Sequence, residues 1–210
     1  MSQISLPFDW SGHSAAASDS FIVSEANQLA VRHLEGWRDW PMQVSVLSGP
    51  PRSGRSTLGR QFAKLSGGTV IDDAEGVGEE LLFHAWNRAQ LERRPLLLIA
   101  QASPKDWTVA LPDFRSRLLA VPHVRIEEPD DSLVQALIER GLVEGGALWA
   151  SDVPEWLYRR IERSYGAVAE VLGCLQSAAL SRGRKISVPF AKEALQNAGF
   201  LPIIWADPEP

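Results

Sequence analysis

Apolar positions along the chain follow two regimes. Between residues 21 and 128, short runs apolar on both faces alternate with longer stretches in which apolar residues return every three or four positions. The runs at 43–47, Thr69–Asp73, Pro95–Ala100 and Val124–Glu127 predict strands. Their lack of polar alternation predicts helices on both sides of a parallel sheet. One helix is expected from Ser24, as N-cap, through Leu29, Val31 and Leu34 to about Trp37. Others are expected at about Ser56–Leu65, ended by Gly67-Gly68, and at about Gly78–Arg93, with Leu81, Leu82, Ala85, Trp86 and Ala89 on one face. Trp37 and Trp40 bracket the turn into the first strand and read as core anchors.

From Asp130 onward only the helical period remains. Asp130 and Asp131 cap a helix through Leu133, Leu137 and Ile138, and further helices cover about 154–163, 166–182 and 188–198, the last capped by Ser187. The pattern divides the chain into a tail (1–20), a P-loop α/β domain (21–129), a small all-helical lid (130–200) and a second tail (201–210). In the first tail, Ile4, Leu6, Pro7 and Phe8 precede a small polar stretch. Such a cluster either folds back onto the domain or is offered to a partner's groove.

Composition narrows the function classes. The 210 residues carry a net charge of −5 with pI near 5.4, which speaks against non-specific binding to nucleic acid. A single cysteine, Cys174, excludes an internal disulfide framework. No apolar run approaches a membrane span and no signal-peptide pattern opens the chain, so a cytoplasmic protein is expected. His13, His33, His84 and His123 are scattered without metal-ligand spacing.

The chemistry concentrates where the first strand ends. Gly49-Pro50-Pro51-Arg52-Ser53-Gly54-Arg55-Ser56-Thr57 has the spacing of a phosphate-cradling loop, Gly-x-x-x-x-Gly-Lys-Ser, with Arg55 in place of the lysine. Glycines let consecutive N–H groups turn inward, and the following helix N-terminus adds partial positive charge. Asp72 and Asp73, ending the next strand, stand where such proteins hold the Mg²⁺ water shell, together with Ser56. A helix-cap role is the plainer reading of Asp72-Asp73 taken alone, a simple strand-to-helix turn is the alternative for the loop, and Ser103, after the third strand, reads equally as a nucleotide sensor or a turn former.

In this order the motifs resemble the AAA+ ATPases, and within them the family of the bacterial replication initiator DnaA and its regulator Hda. Phe21-Ile22-Val23-Ser24-Glu25-Ala26-Asn27 resembles the segment that packs near the adenine in that family, which puts Asn27 at the nucleotide. Leu111-Pro112-Asp113-Phe114-Arg115-Ser116-Arg117-Leu118 is similar to the family's arginine-finger segment, which carries the finger to Arg117 and leaves Arg115 a secondary contact. Gln3-Ile4-Ser5-Leu6-Pro7-Phe8 resembles the peptide by which Hda docks on the sliding clamp, the beta subunit of DNA polymerase III. The chain departs from the family at Arg55, at Ala169 where a lid arginine is usual, and in lacking one strand-helix unit after the first helix.

The resemblance implies a shortened AAA+ sheet of about four strands, in family order 5-1-4-3, under a helical lid. It also implies a clamp-assisted stimulator of ATP hydrolysis by DnaA, binding ADP or ATP with Mg weakly or not at all and turning over negligible ATP itself. No sequence-specific DNA binding is expected, and the exposed sheet edge leaves room for a homodimer. The competing readings are an autonomous small P-loop NTPase or kinase, and a nucleotide-independent clamp/DnaA adaptor.

Overall fold

The computed structural model describes residues 21–200, so the clamp-type peptide Gln3–Phe8 and the C-terminal tail lie outside the described residues. Four strands form one parallel sheet: β1 (Val44–Ser48), β2 (Thr69–Ile71), β3 (Leu96–Ala100) and β4 (His123–Arg125), in the order β2-β3-β1-β4. In family labels this is the order expected, 5-1-4-3 read from the other edge. The central pair is in register from Val44 opposite Leu96 to Ser48 opposite Ala100, and every residue of both strands is buried.

Burial on both faces follows from helices on both sides. Val44, Val46, Leu96 and Leu98 face α3 (Glu79–Glu92) and α4 (Pro112–Ala120), where Trp86 and Phe114 meet edge to face at 6.2 Å. Leu47, Leu97 and Ile99 face α1 (Gln28–Glu35) and α2 (Arg55–Ser66), around Val31, Leu34, Leu58 and Phe62. Trp40 is stacked between His33 and Phe62, the anchor its position suggested. Trp37 is only half-buried, with the Arg38 guanidinium 4.4 Å above its ring.

The lid has its own core. Helices α5 (Asp131–Glu144), α6 (Val153–Tyr158), α7 (Tyr165–Arg182) and α8 (Val188–Asn197) bury Ile138, Leu142, Leu157, Leu175, Phe190 and Leu195 together. Asp130, Ser164 and Ser187 each cap a helix by accepting a backbone N–H, from Leu133, Ala167 and Phe190. Leu133 and Tyr165 belong instead to the α1/α2 core, so the lid is seated on the sheet domain by apolar contact.

Two boundaries differ from the sequence expectation. The first helix starts at Gln28 rather than after Ser24. The Asn27 side chain accepts the Ser24 N–H at 3.0 Å and donates to Ile22 O at 2.9 Å, so the chain makes a local turn before it can wind. The helix expected over 154–163 ends at Tyr158, five residues early, and a turn leads to the Ser164 cap.

Candidate functional site

The loop after β1 forms where two glycines are required. A Cβ on Gly49 would stand 2.9 Å from Ile126 O, and Gly54 has φ +89° with the Phe21 ring 2.6 Å from where its Cβ would be. Arg52, at φ 62°, takes the left-handed conformation without being glycine. The loop ends at the N-terminus of α2, whose N-cap, Gly54, offers no side-chain acceptor. The first-turn N–H groups therefore have no capping side chain, as in an anion cradle.

Two buried polar atoms in this loop lack a partner. Ser53 is 4% exposed and its Oγ is unpaired; Arg55 is 9% exposed and its Nη1 is unpaired. A buried donor without an acceptor is costly, and a guanidinium at a helix N-terminus adds to the positive end of the dipole. Both features are compensated by an anion in the loop. The residues present therefore fit a phosphate group of a nucleotide.

Beside the loop lies a cleft of about 90 Å³. Phe21, Ile22 and Asn27 line it from the opening segment, and Arg52, Ser53, Gly54 and Thr57 from the loop. The lid closes it with Leu133, Leu137, Arg140 and Tyr165. Tyr165 donates its hydroxyl to Glu127 O at 3.1 Å, and burial raises its pKa, so the phenol stays protonated. The volume lies below the roughly 300 Å³ from which small-molecule pockets usually begin.

The sequence-predicted residues are distributed unevenly around this cleft. Asn27, Arg52, Ser53, Gly54 and Thr57 line it and Gly49, Pro50 and Pro51 do not, while Arg55 lies buried just inside the helix start. Ser56, Asp72 and Asp73 are exposed and do not line it; Asp73 has φ 48° and its N–H bonds Asp72 Oδ1 at 3.0 Å. Among the described residues no three His, Cys, Asp or Glu side chains converge as a metal site. Ser103 is a turn former, its carbonyl accepting the Asp106 N–H at 2.8 Å. Ala169 lies on α7 away from the cleft, and the lid's arginine there is Arg140.

Arg117 occupies a different face. It projects from α4 with its side chain 40% exposed, its Nη2 2.9 Å from Asp113 Oδ2. Its Nη1 donates to Asn87 Oδ1 at 3.3 Å, and the guanidinium lies 5.1 Å from the Phe83 ring centroid. Glu79, in the first turn of α3, accepts the backbone N–H groups of Ala110 and Leu111 at 2.6 and 2.9 Å and so fixes the start of α4. Arg115 is exposed on the same helix.

Two histidine–serine pairs flank the strand that feeds the loop. His33 Nε2 is 2.7 Å from Ser45 Oγ, which itself donates to Pro122 O; His123 Nε2 is 2.8 Å from Ser48 Oγ. Burial, then the nearby His123, lowers the pKa of His33, while burial, then Arg125 and Lys105, lowers that of His123. Nothing in the spacing of the four histidines along the chain announced these pairs.

Residues 130–195 match the family described as Hda, lid domain. The structure is similar to domain III of the Thermotoga maritima replication initiation protein DnaA, with a TM-score of 0.70 at 13% identity, over 86% of this chain and 95% of that one. It is also similar to AMPPCP-bound DnaA from Aquifex aeolicus, with a TM-score of 0.58 at 16% identity, over 78% of this chain and 65% of that one. The Thermotoga maritima RuvB Holliday junction branch migration motor has a TM-score of 0.61 at 16% identity, over 85% of this chain and 70% of that one. At these identities the structural likeness is one of fold, that of the AAA+ domain.

Proposed function

We propose that this chain, with its Hda-type lid and its DnaA-like fold, is a DnaA-related AAA+ protein that regulates chromosome replication initiation by stimulating ATP hydrolysis in a DnaA partner. The observation that carries this reading is Arg117: a half-exposed guanidinium on a face away from the chain's own cleft, held by Asp113, Asn87 and Phe83. An arginine so placed can reach a γ-phosphate on another molecule. Supplied in trans, it stabilises charge developing in phosphoryl transfer, an effect on the order of 10³–10⁵ in rate. The exposed Asp113 pair is worth only about 0.3–0.5 kcal/mol, so a polyphosphate displaces it readily.

Residues Gln3–Phe8 would dock on the DNA-loaded sliding clamp, raising the local concentration of the domain near DnaA. The chain's own loop would hold ADP as a structural ligand, with Arg55 and Ser53 on the phosphates, whereas Ser56, Asp72 and Asp73, exposed and off the cleft, do not fit a Mg²⁺ site. The AMPPCP bound by the Aquifex DnaA supports an adenine nucleotide as the ligand. An autonomous NTPase or kinase is the weaker reading, because Arg55 is buried and the two aspartates stand off the cleft.

The test is ATP hydrolysis by the cognate DnaA, measured with and without this chain and a DNA-loaded clamp. Stimulation is expected, and both Arg117→Ala and removal of residues 1–8 should abolish most of it. Stimulation that survives both changes refutes the mechanism. ATP turnover by the isolated chain should be negligible.

A further inference from the structure

Two glutamates that follow the edge strand β2 hold the stretch leading into the Arg117 helix at both of its ends. We infer that Glu75 and Glu79 are positioning residues for Arg117. Their carboxylates fix residues 101–111, and with them the start of α4, so that the guanidinium is in place before a partner's phosphate arrives. This rests on the reading that Arg117 acts on another molecule.

Residues 101–111 join β3 to α4. At the first of them, both carboxylate oxygens of Glu75 accept the Gln101 N–H, at 2.9 and 2.8 Å. At the far end the oxygens of Glu79 divide: Oε1 accepts the Ala110 N–H at 2.6 Å and Oε2 the Leu111 N–H at 2.9 Å. Between the two ends Trp107 and Val109 are buried, and the Trp107 indole donates to Ala102 O at 3.1 Å, so the stretch is packed rather than loose. Hydrogen bonds to a carboxylate are about twice as strong as those between neutral groups.

Helix α4 has no anchor of its own at that point. Its N-cap is Leu111, which supplies no side-chain acceptor, and Pro112 after it has no N–H to give. Phe114 and Leu118 are buried and set how deep α4 sits against the sheet. Apolar contact is non-directional, however, and does not fix where along its axis a helix begins. Glu79 does. It also lies on the face of α3 that meets the arginine: one turn on, Phe83 has the guanidinium 5.1 Å from its ring centroid, and a turn later Asn87 accepts from Nη1 at 3.3 Å. A single stripe of α3 therefore holds both the start of α4 and the guanidinium that α4 carries. Placement matters because a displacement of about 1 Å costs on the order of a hundredfold in rate at a reacting centre.

The experiment is the clamp-dependent ATPase assay of DnaA with increasing amounts of each full-chain variant, well below its melting temperature, with Arg117→Ala as the reference. Glu75→Ala and Glu79→Ala should each lower the maximal stimulation by about tenfold and leave the half-maximal concentration unchanged. The glutamine variants separate bonding from charge. Glu75→Gln keeps an acceptor for the single Gln101 N–H and should stimulate nearly as well as the wild type. Glu79→Gln turns an amide donor toward one of two N–H groups and should fall as far as Glu79→Ala. If the wild type gives no stimulation, or Arg117→Ala stimulates as well as the wild type, the reading of Arg117 and this inference fail together. If Arg117→Ala abolishes stimulation and either alanine variant retains it, only the inference fails, that glutamate then serving the fold alone. Equal losses in the two glutamine variants would overturn it, because charge rather than bonding would then matter. So would a raised half-maximal concentration at an unchanged maximum, which marks direct contact with the partner.

Discussion

Replacing Arg55 with methionine should make the ligand-free protein more stable while weakening its hold on a nucleotide. Arg55 is the first residue of α2, is 9% exposed, and leaves Nη1 unpaired. An unsatisfied buried donor costs about 1–3 kcal/mol, and more if charged. A cation at a helix N-terminus adds about 0.3–1 kcal/mol of unfavourable dipole interaction. Methionine keeps a flexible unbranched stem in the same space and removes both terms. Allowing for lost stem contacts, the expected gain is about 1–3 kcal/mol. For a chain of this size each kcal/mol moves the melting temperature by about 2–4 °C, so Tm should rise by about 2–12 °C. The assay is thermal unfolding followed by tryptophan fluorescence, with and without ADP. ADP should raise the Tm of the wild type, through binding to the folded state alone, and should do so much less for the variant. A variant that melts at or below the wild type without ligand refutes the reasoning, because it would show that the guanidinium is already compensated in the empty loop.

Gly54→Ala should destabilise by at least about 1–2 kcal/mol, since φ +89° disfavours any Cβ and the Phe21 ring stands 2.6 Å from it; denaturant unfolding checks this, and the ADP-dependent Tm shift should vanish with it. Leu175→Ala, in the middle of the lid core at 0% exposure, should cost about 2–5 kcal/mol in the same measurement. Stability should fall as pH drops below about 6.5: His33 and His123 have folded pKa values below their unfolded ones, so the unfolded chain takes up protons first. That contribution is fully present above the unfolded pKa and gone once pH passes below the folded values. Replacing both histidines with glutamine should flatten the profile in that window, and an unchanged slope would show that the acid sensitivity lies elsewhere.

Much of the architecture was legible because it is periodic. All four strands appear where uninterrupted apolar runs stood, displaced by a residue or two, and their order follows from the missing edge unit. Asp130, Ser187 and Gly67 mark helix ends by local chemistry alone. The first helix starts later than Ser24 predicts, because Asn27 bonds both ways across the turn. Asp72 and Asp73 directly follow the edge strand β2, yet neither lines the cleft. It is Glu75, three residues past Asp72, that reaches back to the Gln101 N–H at 2.9 and 2.8 Å.

The sequence by itself determined what depends on neighbours along the chain: the strand-helix alternation, the glycine-bounded loop and the helical character after Asp130. The tertiary structure decided what depends on distant pairs. Arg140 and Ser53, 87 residues apart, line one cleft, and His123 meets Ser48 across 75. It also decided that Arg55 is buried rather than exposed. Periodicity encodes which face of an element turns inward, but not what that face will meet. Which charges share a cleft is set by how the lid seats on the sheet, through Leu133 and Tyr165, and no local pattern records that contact.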